Sequence, residues 1–140
     1  MNRLIVGLAF CALAGTALAQ DRAPAPAGAE VYFISPKNGE TVHGPVVVRF
    51  GLKGMGIAPA GIKFDNTGHH HLLVDTDLSD VKLDAPLPAT DKILHFGKGQ
   101  TETTLTLTPG KHTLELLFAD YLHMSFDPPL HSQKITITVK

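Results

Sequence analysis

The chain has 140 residues, with 12 Lys and Arg against 13 Asp and Glu, and 44% of its residues are hydrophobic. A net charge of −1 offers no basic footprint for a phosphate backbone, so nucleic acid is not an expected partner. One cysteine, Cys11, leaves no framework for disulfides, iron–sulfur clusters or cysteine-type zinc sites.

The chain opens with one positive charge at Arg3, an apolar run from Leu4 to Leu13, and the small-x-small ending Ala17-Leu18-Ala19. Residues 1–19 read as a secretory signal peptide, which places the mature protein in the periplasm. The apolar run is shorter than the roughly 20 residues of a membrane span, and no later segment is long enough, so no membrane insertion is expected after cleavage. Phe10 stands before Cys11, where lipoprotein processing wants a small residue. Cys11 therefore leaves with the signal, and losing Arg3 shifts the net charge from −1 to about −2. The remainder, about 120 residues, is enough for one domain with one core.

Residues 20–29, QDRAPAPAGA, are rich in Ala and Pro without apolar periodicity, and read as a flexible leader. From Glu30 to Lys140 the pattern is that of strands and turns. EVYFI (30–34) is followed by the turn SPKNGE, PVVVRFGL (45–52) by the Gly/Pro loop KGMGIAPAG, and GHHHLLVD (68–75) by a polar connection over 76–91. KILHF (92–96), ETTLTLT (102–108), the turn PGK, HTLELLFA (112–119) and QKITITVK (133–140) complete the series. In the last strand Ile135, Ile137 and Val139 share one face, and Lys134, Thr136 and Thr138 the other. About seven such strands without a helix predict an all-β domain, a single antiparallel two-sheet immunoglobulin-like sandwich spanning 30–140.

Eight histidines, at 43, 69, 70, 71, 95, 112, 123 and 131, are many for a chain of this size. Alternation along GHHHLLVD puts His70 on the face of Leu72 and Val74, buried and needing a hydrogen-bond partner for its ring. His112 is expected to satisfy backbone groups in the same way. His69 and His71 then share the opposite face about 6.6 Å apart, a spacing at which two imidazoles can converge on one ion. A copper or zinc ion needs one or two more ligands. His95 precedes the glycine-rich FGKGQ, His123 and Met124 lie in the long last connection, and His131 follows DPP. At least one of these three histidines is expected to complete the site. Met124 or Met55 suits copper(I), and Asp65 and Asp75 would suit zinc. Proton competition is expected to weaken binding below about pH 6.5. Against this stands the reading in which the histidines only decorate the surface or bond backbone groups.

Other motifs carry less. DTDLSD (75–80) lacks the glycine and terminal glutamate of a calcium loop and reads as an acidic turn. GMGIAPAG and FGKGQ open no helix and read as tight turns rather than phosphate loops. No serine sits in a nucleophile elbow. Asp120 and Asp127 flank a histidine-containing loop, an acid–base arrangement on paper and more simply turn residues.

SPKNGETV, GMGIAPAG, NTGHHHLLVDT, HFGKGQTETTLTLTPGKHTLELLFAD and DPPLHSQKITITV together resemble the bacterial secreted family called domain of unknown function 4399. The resemblance covers nearly all of residues 31–140, and its GHHHLL and HFGxGQTE blocks are specific. It implies a small exported domain and no established activity. In DYLHMSFDPPLHS the family carries more histidines, at positions held here by Tyr121 and Phe126. In that loop the resemblance therefore points to His123.

The favoured reading is an exported β-sandwich holding copper or zinc in periplasmic metal handling, with a periplasmic protein as a further partner. The second is a metal-free envelope module recognising a protein or a glycan, and the third a hydrolase.

Overall fold

The computed structural model describes residues 21–140; the signal-peptide reading of residues 1–19 lies outside them. The described chain is all-β, with one 3-10 turn at Leu78–Asp80. Nine strands follow in order: β1 (Glu30–Ser35), β2 (Thr41–Val42), β3 (Val46–Lys53), β4 (Gly56–Ile57), β5 (Thr67–Val74), β6 (Ile93–His95), β7 (Glu102–Leu105), β8 (Gly110–Ala119) and β9 (Ile135–Val139). They make a three-stranded sheet, β1-β3-β7, and a six-stranded sheet, β2-β9-β8-β5-β4 with β6 also on β5. Among the described residues no helix is long and apolar enough to cross a membrane.

The three-stranded sheet is antiparallel, but the six-stranded sheet is mixed, which corrects the expectation of a purely antiparallel fold. β2 runs parallel to β9, and β4 parallel to β5. The turn at Pro36 ends the β1–β3 ladder, because proline offers no donor. The chain then crosses to the other sheet, where Thr41 pairs with Thr138. Both parallel strands have only two residues, too few to show any periodicity in GETV or GMGI.

Period-2 alternation decides which side chains meet. Val46, Val48 and Phe50 of β3 face Leu72 and Val74 of β5, Leu114, Leu116 and Phe118 of β8, and Ile135, Ile137 and Val139 of β9 in one core between the sheets. β5 and β8 are also buried on their outer face. There Leu73, Leu117 and Ala119 meet Val81 and Leu87 of the connection after β5. A strand buried on both faces loses its alternation, as LELLFA does.

Residues 21–29, the stretch with the composition of a leader, make fixed contacts. Ala25 and Ala29 pack against the core. The Asp127 amide donates to the Ala23 carbonyl at 2.9 Å. The Arg22 guanidinium donates to the carbonyls of Ser125 and Phe126. Pro24 and Pro26 fix φ in this segment, and the Ala29 amide closes a turn onto the Pro26 carbonyl at 3.0 Å.

Candidate metal centre

β5 sets the parity of the three adjacent histidines. His70 turns inward, between the rings of Phe50 and Phe118, with centroids 5.1 and 5.0 Å away. His69 and His71 turn outward and are nonetheless fully buried, each 0% exposed. The antiparallel register of β5 and β6 sets His71 opposite His95. A fourth ring arrives from the loop between Ala119 and Ser125, which bridge each other. Here His123 has φ 66°, in the left-handed region where histidine is tolerated better than most residues.

The four outward rings form one cluster. Centroids are 5.0 Å apart for His69–His71, His69–His95, His69–His123 and His71–His95, 4.8 Å for His95–His123 and 6.2 Å for His71–His123. An ion bound at 2.0–2.1 Å to four imidazole nitrogens in a tetrahedron would place the ring centroids about 5 Å apart. Five of the six edges match this, and the His71–His123 edge is open. His69, His95 and His123 each offer a nitrogen within 4.8 Å of the others. Ligand nitrogens in a tetrahedral site are about 3.4 Å apart, so they need to close by up to about 1.4 Å, which ring rotation supplies.

Glycines make room for this arrangement. A Cβ on Gly97 would collide with Cε1 and Nε2 of His95, so HFG leaves space for the imidazole two residues back. A Cβ on Gly68 would strike the carbonyl oxygen of Ala119 and the ring of Phe118. Gly68 therefore lets the start of β5 lie close against β8.

The electrostatics suit a cation bound by neutral imidazoles. Both ring nitrogens of His69 and of His71, and Nε2 of His95, are buried without a hydrogen-bond partner in the protein. Burial, followed by repulsion from His123 and His95, lowers the pKa of His69 to about 4. Burial, followed by repulsion from His69 and His95, lowers that of His71 to about 2. The His95 pKa is also lowered, by burial and then by His123. At neutral pH these three rings are uncharged, the form that ligates metal.

His131, Asp75 and Asp65 lie outside the group of converging nitrogens. In one row across the sheet, Leu117 pairs with His71 on one side and with His131 on the other, so a buried leucine stands between His131 and the cluster. Nδ1 of His131 lies 2.8 Å from Oε1 of the buried Glu115. Met124 is buried, and its amide donates to Asp120 Oδ1 at 2.9 Å. Met55 packs against the core between the sheets. Asp75 bonds His112 Nδ1 at 2.7 Å and the Thr113 amide at 2.9 Å, and Asp65 is exposed. His112 satisfies the Thr108 carbonyl as expected, at 2.7 Å. His70 departs from expectation, since neither of its ring nitrogens has a protein partner. Gly97 and Asp120 bear on the site without ligand chemistry. The only signal for either in the sequence is its nearness to a histidine.

No curated protein matches the chain. Among solved structures, the endo-beta-1,4-mannanase from Thermotoga petrophila is similar with a TM-score of 0.46 and 19% identity, over 80% of this chain and 20% of that one. The chain thus spans about a fifth of that protein's length. The model of a family described as Domain of unknown function (DUF4399) matches residues 48–140, from β3 through every histidine of the cluster to the last residue, and the chain belongs to that family.

Proposed function

We propose that the protein is an exported, periplasmic domain that binds one copper or zinc ion through His69, His71, His95 and His123 and serves in metal handling. The observation that carries this reading is the convergence of four imidazoles, two fully buried and two half-buried, with five of six spacings near those of a tetrahedral site and with nitrogens left unpaired by the protein. An orphaned buried polar group costs about 1–3 kcal/mol, so five such nitrogens on His69, His71 and His95 are hard to account for without a ligand. An all-nitrogen donor set disfavours calcium and magnesium, which want oxygen. Square-planar copper(II) would leave two long diagonals, whereas one edge is long here, so the arrangement favours zinc(II) or copper(I). Four protein ligands fill a tetrahedron, as in sites that hold an ion rather than react at it. The signal-like residues 1–19 support export. The strand orders 1-3-7 and 9-8-5 follow the A-B-E and G-F-C orders of immunoglobulin-like sandwiches, which supports that architecture.

The test is titration of untagged protein with zinc(II), and with copper(I) under reducing conditions, against a competing chelator. One equivalent should bind, and alanine at both His69 and His71 should abolish tight binding. Affinity weaker than about 10 μM for both ions, roughly −7 kcal/mol, would overturn the proposal. In that case a metal-free interaction module is the better reading. It is favoured by Ile62 (55% exposed), Phe64 (73%) and Leu122 (38%), on two loops joined by the Gly61 amide donating to the Tyr121 carbonyl.

A further inference from the structure

We infer that Asp120, which offers no ligand to the cluster, is the positioning residue of the metal centre because it holds His123 in the conformation that completes it; this rests on the metal-binding reading above. His69, His71 and His95 sit on paired strands, so sheet hydrogen bonds fix them. His123 has no such support. It belongs to a short loop closed by the Ala119–Ser125 bridge, and its φ of 66° is one that side-chain-bearing residues seldom adopt unaided.

Asp120 supplies the constraint through its amide, its carbonyl and Oδ1. Its Oδ1 accepts from the amide of Leu122 at 2.8 Å and from that of Met124 at 2.9 Å, one residue to each side of His123. Its carbonyl accepts from the His123 amide at 3.0 Å, and its own amide donates to the Met124 carbonyl at 2.9 Å. One carboxylate oxygen bonding the amides on both sides fixes the direction of the chain through His123. The imidazole then reaches rings 4.8 Å away at His95 and 5.0 Å away at His69. On the far side the His123 carbonyl accepts from the Leu87 amide at 2.8 Å. That bond anchors the loop but does not select its conformation. Outer groups that orient ligands are worth about 10- to 100-fold in metal affinity.

Two conservative replacements separate geometry from charge. Asp120→Asn keeps an oxygen acceptor at the same reach and removes the charge. Asp120→Glu keeps the charge and displaces the oxygen by one methylene, so it cannot bond both amides in place. Zinc affinity is measured by chelator competition for the wild type, both variants, His123→Ala and the double variant Asp120→Glu/His123→Ala. Tetrahedral cobalt(II) absorption serves as a second readout. The expected result is near-wild-type affinity for Asn and a loss of about 10- to 100-fold for Glu. The Glu change should have no further effect once His123 is gone, and cobalt absorption should weaken in Asp120→Glu alone. Wild-type affinity in Asp120→Glu, or an equal loss in the His123→Ala background, overturns the inference while the metal site stands. Loss in Asn with retention in Glu also overturns it, because charge would then be the cause. Absence of zinc and cobalt binding by the wild-type protein overturns the metal reading and this inference with it.

Discussion

His70 and His112 show how one fold shifts the same titratable group in opposite directions. His70 is 1% exposed among aromatic rings, and burial lowers its pKa to about 4. Below pH 6.5 the unfolded chain binds a proton that folded His70 refuses. Stability in the metal-free protein is therefore lost as pH falls from about 6.5 to about 4, by about 3 kcal/mol for this residue alone. The His112 pKa is raised, first by its bond to Asp75, against some burial cost. Its contribution is fully present below pH 6.5 and is lost as pH rises through the raised folded value. Denaturant unfolding of metal-free protein across pH should therefore fall away on both sides. His70→Phe should make the acid limb shallower, leaving the part due to His69, His71 and His95, and Asp75→Asn should flatten the upper limb. An unchanged acid limb in His70→Phe would show that His70 finds a partner or water.

At the scale of the element, β5 carries polar rings where a core strand is expected to be apolar. A central strand buried on both faces is normally apolar, yet β5 spends three adjacent buried positions on histidine. Replacing His69 by Leu removes two unpaired buried nitrogens and keeps an apolar body of similar size. The metal-free protein should become more stable by about 1 kcal/mol or more, while tight zinc binding disappears. Equilibrium unfolding and chelator competition on the same sample check both halves. A destabilised His69→Leu protein would mark these rings as structural. Alternation in GHHHLLVD was enough to predict the inward His70 and the outward pair, because strand parity is a local property. It was not enough to predict that the outward pair is buried, since that depends on Val81 and Leu87 arriving from the next connection to build the outer cluster around Leu73 and Leu117.

Across the whole molecule, the cluster draws on β5, on β6 and on the loop after β8, segments far apart in sequence. No such cluster exists in the unfolded chain, so the proposed metal binding would add to folding stability. Zinc at 100 times its dissociation constant should raise the unfolding free energy by about 2.7 kcal/mol. The same zinc concentration should leave His69→Leu unmoved, which thermal and denaturant unfolding with and without metal would check.

What the sequence by itself determined follows from local rules. The strand periodicities pointed to an all-β domain, a single cysteine left no pair for a disulfide, and the triple histidine put a pair of imidazoles on one face. His95 and His123 could be named as candidates only alongside His131, because neither the glycines after His95 nor the resemblance at His123 shows which rings meet. The tertiary structure made that choice through register. β6 pairs with β5 so that His95 stands beside His71, while Leu117 intervenes before His131. Register is fixed by hydrogen bonding between distant strands and by which faces must be buried together. For that reason the number of histidines was legible in the chain, and the identity of the four that meet was decided only when the sheets were assembled.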